Sequence, residues 1–167
     1  MNRSILDGKR ILLVDDEPDV LSVLEEEIKM SCPGCKIDKA TSYQAALEKL
    51  ETQTYDLVVL DIMGVRGFDL LERAVMSNLK VAMLTAHALT PEALKRSFEM
   101  KARAYLPKEK IGEIVPFLED VLTYEYLPGW KRLFAKLEGF FAEKFEGLEA
   151  GNKFWEEMRD KIKKIEY

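Results

Sequence analysis

Three acidic side chains follow two short apolar runs of the sequence. Asp15 and Asp16 come directly after the run 11–14, and Asp61 follows the run 57–60. A buried carboxylate is costly unless a cation or hydrogen-bond donors compensate its charge. In a parallel α/β sheet the carboxyl ends of the strands form the ligand crevice, so the three acids are predicted to meet there. Mg²⁺ prefers oxygen ligands and keeps waters that a phosphate can replace, so we expect a site for Mg²⁺ or Mn²⁺.

Short apolar runs alternate with segments of helical periodicity along the chain. The apolar runs are residues 10–14, 36–40, 57–60, 80–84 and 103–106, and the helical segments are 18–31, 42–52, 67–77, 90–101 and 111–123. Ser42 and Thr90 stand where helix N-caps are expected. This alternation is typical of a doubly wound parallel sheet with helices on both faces.

Two further polar residues follow the later apolar runs. Thr85 follows residues 81–84 and Lys108 follows residues 104–107. Parallel strands would bring both to the edge that holds Asp61 and the acid pair. Phosphoryl transfer needs such groups, because a metal ion, an ammonium and a hydroxyl can each neutralise one phosphoryl oxygen. Asp61 could then attack phosphorus and form an aspartyl phosphate.

Four segments taken together resemble the receiver domain of two-component response regulators. They are ILLVDDE at 11–17, VLDIM at 59–63, LTA at 84–86 and AYLPK at 104–108. Their joint order is highly specific, although each is weak alone, and the resemblance covers roughly residues 7–124. It implies a flavodoxin-like fold, with a five-stranded parallel sheet in the order 2-1-3-4-5.

The resemblance also implies a phosphoacceptor and a metal site. Asp61 would accept phosphate from a histidine kinase or phosphotransfer protein in a Mg²⁺-dependent reaction. Asp16, Asp61 and the backbone carbonyl of Met63 would bind the metal, with Asp15 acting through water. The chain would self-dephosphorylate slowly and carry no separate catalytic effector.

Further roles are implied around the phosphoryl group. Thr85 and Lys108 would contact the phosphate. Thr85 and Tyr105 would form a switch pair in which the hydroxyl moves toward the phosphoryl group and the ring swings inward. Met63 and His87, two residues past Asp61 and Thr85, would tune the phosphate lifetime.

The sequence departs from the family pattern in two places. Pro107 precedes Lys108 and Glu109 follows it, whereas the family usually has proline after the lysine, joined through a cis peptide. A cis bond to Glu109 would cost about 3–4 kcal/mol, so we expect a trans peptide. Gly64 stands after Met63, where the family often has proline, and makes this loop more permissive.

The chain changes character after Thr123. Residues 126–129, Tyr-Leu-Pro-Gly, predict a break, and residues 125–167 are predicted to form a helical extension of two amphipathic helices. The apolar positions are Trp130, Leu133, Phe134, Leu137, Phe140, Phe141, Phe145 and Leu148 in the first helix, and Phe154, Trp155, Met158, Ile162 and Ile165 in the second. Such a broad apolar stripe must be buried. A hairpin packed on its own receiver, a homodimer interface and a docking site for a kinase or another partner all remain open.

Charge and composition disfavour several classes of partner. The net charge is −5, and residues 125–167 carry nine Lys/Arg and nine Asp/Glu, so no basic stripe predicts nucleic-acid binding. No apolar run approaches the roughly 20 residues of a membrane span, and the mixed polar face of the tail disfavours a membrane surface. The N-terminus lacks the apolar core of a signal peptide, so we expect a cytoplasmic protein.

The output of the protein would be a contact with an unknown downstream protein, altered at the face built from residues 90–101, 103–106 and 111–123.

Three rival functions fit the residues less well. A haloacid-dehalogenase-type phosphatase needs a second Asp two residues after its nucleophile, where this chain has Met63. A flavodoxin-like cofactor binder needs a phosphate-cradling loop after the first strand, where the sequence is Asp-Asp-Glu-Pro. A degenerate receiver acting as a scaffold would not need all five site residues.

The pair Cys32 and Cys35 has the spacing of a redox motif. It follows a helical segment and precedes an apolar run, so it lacks the helix N-terminus that lowers thiol pKa values in such motifs. The Pro-Gly turn between the cysteines explains the spacing without a redox role.

Overall fold

A five-stranded, all-parallel sheet organises the chain. The computed structural model describes residues 4–145, 156, 157, 160, 161 and 164. The strands are β1 Arg10–Val14, β2 Lys36–Ala40, β3 Leu57–Asp61, β4 Val81–Thr85 and β5 Ala104–Pro107, in the spatial order β2-β1-β3-β4-β5. The predicted fold class and strand order are confirmed. β3 and β4 are buried along their whole length, which matches their uninterrupted apolar sequences.

Helices flank the sheet at the predicted places. They are α1 Pro18–Ser31, α2 Tyr43–Thr52, α3 Gly67–Met76, α4 Pro91–Glu99 and α5 Ile114–Thr123. The predicted N-caps form, because the Ser42 and Thr90 hydroxyls accept hydrogen bonds from Ala45 N and Ala93 N, each at 3.1 Å. The helix predicted over residues 111–123 begins late, because its first residues belong to a 3₁₀ helix, Lys108–Glu113. Helix α4 ends before residue 101, because Lys101 adopts a left-handed backbone at φ 73°.

A sixth helix, α6 Tyr126–Phe145, follows α5 after a short extended link. The predicted break at residues 126–129 is therefore misplaced, since the helix begins inside it. Pro128 is tolerated there because the first turn of a helix has no intrahelical acceptor for its N–H groups. The first intrahelical bond, from Gly129 N to Glu125 O at 2.9 Å, follows immediately. Leu148 and all five apolar positions of the second predicted helix lie outside the described residues.

Helix α6 packs its apolar face on α4, β5 and α5. Its buried residues, none more than 4% exposed, are Trp130, Leu133, Phe134, Leu137, Phe141 and Phe145. The Trp130 indole N–H donates to Ala102 O at 2.7 Å, and its ring meets Phe98 of α4 edge-on at 5.3 Å. Lys136 of α6 pairs with Asp120 of α5 at 2.7 Å. Each fully buried large apolar side chain contributes roughly 1.5–3 kcal/mol, so α6 is an integral part of the core.

The same contacts agree with one of the alternatives for the first tail helix. It packs on α4, β5 and α5 of its own chain, as the hairpin alternative predicted for this part of the tail. Phe140 is only half-buried and lies at the edge of this packing. Within the described residues, no helix combines the length and the apolar character that crossing a membrane requires.

Phe134→Ala tests whether α6 and the sheet unfold together. Phe134 is 2% exposed, so its truncation is expected to lower the free energy of unfolding of the whole chain by about 3–5 kcal/mol. Urea denaturation followed by circular dichroism measures this, with Glu143→Ala on the exposed face of α6 as the matched control. An unchanged main transition in Phe134→Ala would mean that α6 is only a loosely attached extension.

Candidate functional site

The carboxyl ends of β1, β3, β4 and β5 bring the predicted polar groups together. Asp61 ends β3 opposite Leu84, and Thr85 ends β4 opposite Pro107. Asp15, Asp16 and Asp61 each offer a carboxylate oxygen, and these atoms lie within 4.8 Å of one another. Asp15 is fully buried and Asp61 is 4% exposed, whereas Asp16 is open to solvent. The inner side of the cluster is therefore shielded from solvent, and its outer side is open to solvent.

Lys108 lies between the two buried carboxylates. Its ammonium is 2.8 Å from Asp15 Oδ2 and 3.4 Å from Asp61 Oδ1, and Glu17 lies farther out at 3.8 Å. The expected trans peptide after Lys108 is present, since no described residue has a cis peptide bond. The 3₁₀ helix that starts at Lys108 thus delivers the ammonium to the acids without the family's proline.

The carboxylate of Asp15 has capacity left for a cation. Its Oδ1 accepts a hydrogen bond from Glu17 N at 2.9 Å, which fixes the loop after β1. Its buried Oδ2 has no aligned hydrogen bond among the described residues, although the Lys108 ammonium is close to it. An oxygen in this condition, beside two further carboxylates, fits a divalent cation that takes oxygen ligands.

Gly64 lets the loop after β3 close over the acids. It adopts φ +87°, and a Cβ built on it would collide with the Asp16 carboxylate. Gly67, at the start of α3, is equally restricted, because a Cβ there would collide with the backbone carbonyl of Asp61. Two glycines therefore fix how near the loop comes to the acid cluster.

The electrostatics of the site are strongly coupled. Burial and the neighbouring Asp15 raise the pKa of Asp61 from 3.8 to about 6, and Lys108 opposes that rise. Burial alone would lower the pKa of Lys108, but Asp15, Asp61 and Glu17 outweigh it and raise that pKa. In the absence of a metal ion the pocket holds more negative charge than one ammonium can compensate.

Thr85 and Tyr105 are linked through the backbone of Ala88. The Thr85 hydroxyl accepts a hydrogen bond from Ala88 N at 2.8 Å, and the Tyr105 hydroxyl donates to Ala88 O at 2.8 Å. Thr90 N also donates to the Tyr105 hydroxyl, at 3.1 Å. The Tyr105 side chain is fully buried, and burial raises the pKa of its phenol. The ring thus already lies inward.

Met63 and His87 lie in the loops after β3 and β4. The Met63 side chain is 52% exposed, and His87 is exposed as well. Both stand at the rim of the crevice, where an incoming molecule could meet them. Their effect on phosphate lifetime stays a prediction, as does the role of the Met63 carbonyl.

The cysteine pair lies away from this site, in a buried environment that favours the protonated thiols. Cys32 and Cys35 are free and buried, and their thiols donate to Ile28 O at 2.9 Å and Leu6 O at 2.8 Å. Burial raises the pKa of both thiols, to about 12 for Cys35. Thiolate chemistry requires the opposite shift.

Two residues that support the site were not predicted from the sequence. Glu17 fixes Asp15 through its backbone N–H, and its position directly after the acid pair was a usable signal. Ala88 joins Thr85 to Tyr105 only through its backbone, so its residue type carried no signal.

The site thus combines acids, a hydroxyl and a lysine at the carboxyl ends of the strands of a parallel sheet. The sequence model of the family described as the response regulator receiver domain matches residues 11–118. The chain belongs to this family, the receiver domains of two-component response regulators.

Curated relatives share the receiver part of the chain. The gliding motility regulatory protein of Myxococcus xanthus is 31% identical over 68% of this chain and 15% of its own length. The sensory transduction protein LytT of Bacillus subtilis is 33% identical over 59% of this chain and 42% of its own length. The chain therefore matches less than half the length of these relatives.

Solved structures show the same fold. The response regulator TrrA of Thermotoga maritima, in complex with Mg²⁺-BeF, is 32% identical, has a TM-score of 0.58 and matches 68% of this chain and 99% of its own. A CheY-like receiver domain protein of Methanospirillum hungatei is 26% identical, has a TM-score of 0.58 and matches 69% of this chain and 96% of its own.

Asp61→Asn is expected to stabilise the metal-free protein at neutral pH. The folded pKa of Asp61, about 6, lies above its unfolded value of 3.8, so its ionisation costs stability as the pH rises between these values. At about 1.4 kcal/mol per pH unit the gain reaches up to about 3 kcal/mol near pH 7.5 and vanishes below pH ~4. Urea unfolding in EDTA at both pH values measures it. A less stable variant near pH 7.5 would mean that the pairing with Lys108 outweighs the cost of burial.

Gly64→Ala is expected to weaken Mg²⁺ binding by about tenfold or more, because the added methyl would push the Asp16 carboxylate out of the cluster and metal sites depend on ligand position. Calorimetric titration with Mg²⁺ measures the effect. Gly139→Ala is the matched control, since no atom lies within 4 Å of its added Cβ. Equal Mg²⁺ affinity in wild type and Gly64→Ala would place the metal away from Asp16.

Proposed function

We propose that the chain accepts a phosphoryl group on Asp61 from the phosphohistidine of a histidine kinase or phosphotransfer protein, in a reaction that requires Mg²⁺ or Mn²⁺. The observation that carries this proposal is the position of the Lys108 ammonium between two buried carboxylates, one of which belongs to Asp61. A solvent-shielded cation beside a carboxylate nucleophile suits a transfer whose transition state is strongly anionic.

The side chains divide the work of the transfer. A carboxylate oxygen of Asp61 attacks phosphorus, the new O–P bond forms, and the P–N bond breaks so that the imidazole leaves with its electron pair. Asp15 and Asp16, with Asp61, would hold the metal ion, which supplies charge neutralisation on the phosphoryl oxygens. Lys108 compensates a second oxygen, and the Thr85 hydroxyl donates to a third.

Protein contact is the output that the chain supports best. The described residues form the receiver fold and a helix that packs on it, and the charge of the tail is balanced. We therefore propose that phosphorylation changes the affinity for a downstream protein. A scaffold function without phosphorylation is the alternative that the next experiment separates.

Acetyl phosphate with Mg²⁺ is expected to add one phosphoryl group to the wild-type chain. Intact-mass spectrometry measures the adduct, and Asp61→Asn is expected to abolish it because the variant lacks the proposed nucleophile. Asp69→Asn, an exposed carboxylate on α3, is the matched control and should be phosphorylated normally. An unmodified wild-type chain at saturating Mg²⁺ would favour the scaffold.

Lys108→Ala is expected to slow phosphorylation by roughly 10²-fold, as for loss of one preorganised donor to a developing charge. Its Mg²⁺ affinity should not fall, because removing an ammonium makes the acid cluster more negative. Mass spectrometry gives the rate, and calorimetry gives the affinity. Loss of Mg²⁺ binding in this variant would mean that Lys108 supports the metal site rather than the phosphoryl group.

A further inference from the structure

Helix α6 reaches the phosphoryl site through the ring of Phe141. This ring lies 5.8 Å from the ring of Tyr105, centroid to centroid, and both side chains are fully buried. The ring of Phe145 stacks on the ring of Phe141 at a centroid distance of 5.7 Å, with an interplanar angle of 3°. Tyr105 is therefore enclosed by α6, and an outward swing of its ring would have to displace Phe141 from the core.

The enclosed Tyr105 in turn holds the loop that orients Thr85. Its hydroxyl bonds to Ala88 O and Thr90 N, and Ala88 N donates to the Thr85 hydroxyl. Because the Thr85 oxygen accepts this bond, its own proton stays available for an acceptor in the crevice. The contacts run without a gap from Phe141 to the Thr85 hydroxyl.

A second, weaker contact joins α6 to the lysine of the site. Lys144 of α6 pairs at 3.3 Å with Glu109, the residue directly after Lys108. Both partners are substantially exposed, and exposed pairs contribute little, so this pair cannot be the main link. The buried Phe141–Tyr105 contact is the stronger candidate.

We propose that α6 preorganises the phosphoryl site and that Phe141 is its positioning residue. Phe141 holds Tyr105 inward, Tyr105 holds Ala88, and Ala88 presents the Thr85 hydroxyl to a phosphoryl group on Asp61. This inference rests on the proposed function, and it assigns to the tail a part in the same reaction.

The strength of the α6 packing decides whether the helix leaves when Asp61 is phosphorylated. Coupling between two sites typically changes affinity by 5- to 150-fold. The free energy that corresponds to this change is far smaller than the free energy gained by burying six large apolar side chains on α6. Helix α6 therefore stays docked in the phosphorylated form, and the face of α4, β5 and α5 stays covered.

Beryllofluoride titration at saturating Mg²⁺ tests the role of Phe141. Phe141→Ala is expected to weaken beryllofluoride binding roughly 5- to 10-fold, within the usual range of coupling, while Mg²⁺ affinity stays unchanged. Phe141→Leu, which keeps an apolar contact, should restore most of the affinity. Leu133→Ala is the matched control, since Leu133 is 4% exposed on the same face of α6 but lies roughly 12 Å along the helix axis from Phe141.

Tyr105→Phe removes the hydroxyl from the same chain of contacts and should match the loss in Phe141→Ala. The double variant should lose no more than either single variant, because both changes break one path. Additive losses, or an equal loss in Leu133→Ala, would show general loosening and overturn the inference. Unchanged or tighter beryllofluoride binding in Phe141→Ala would overturn it as well.

Hydrogen exchange of the wild-type chain gives an independent check that needs no variant. Coupling is reciprocal, so bound beryllofluoride should slow exchange of the α6 amides. Faster or unchanged exchange would contradict the inference. A wild-type chain that binds no beryllofluoride would refute the proposed function itself, whereas normal binding with an indifferent Phe141 refutes only the role of α6.

Discussion

The placement of one ammonium between buried carboxylates is the constraint on which the site depends. Asp15 and Asp61 are held at the ends of adjacent parallel strands, where burial penalises their charge. Lys108 relieves this penalty only in part, and the pKa of Asp61 remains raised to about 6. The sheet therefore holds an electrostatically incomplete cluster, and a divalent cation with an anionic phosphoryl group would complete it.

The rest of the fold maintains this arrangement at two levels. Gly64 and Gly67 allow the loop after β3 to approach the acids more closely than any side chain would permit. Behind the site, α6 closes over Tyr105, so the loop after β4 is held from the core side.

The sheet order was predictable from the resemblance to receiver domains, and the meeting of the acids was predictable from strand periodicity and parallel topology. Asp61 and Lys108 lie close together for the same reason. Other features depend on three-dimensional packing that a single sequence does not encode locally. The apolar stripe on α6 predicted that this face is buried but not which elements it packs against. The start of α6 was misplaced because Pro128 and Gly129 suit the first turn of a helix as well as a break. Ala88 acts through its backbone atoms, so its residue type could not predict this role.

A crystal structure with Mg²⁺ and beryllofluoride tests the central claim most directly. The account predicts one metal ion on the carboxylates of Asp16 and Asp61, with beryllofluoride on Asp61 in contact with Lys108 and the Thr85 hydroxyl, and α6 still packed against Tyr105. Beryllofluoride on another side chain, or a metal ion bound away from the three acids, would contradict it.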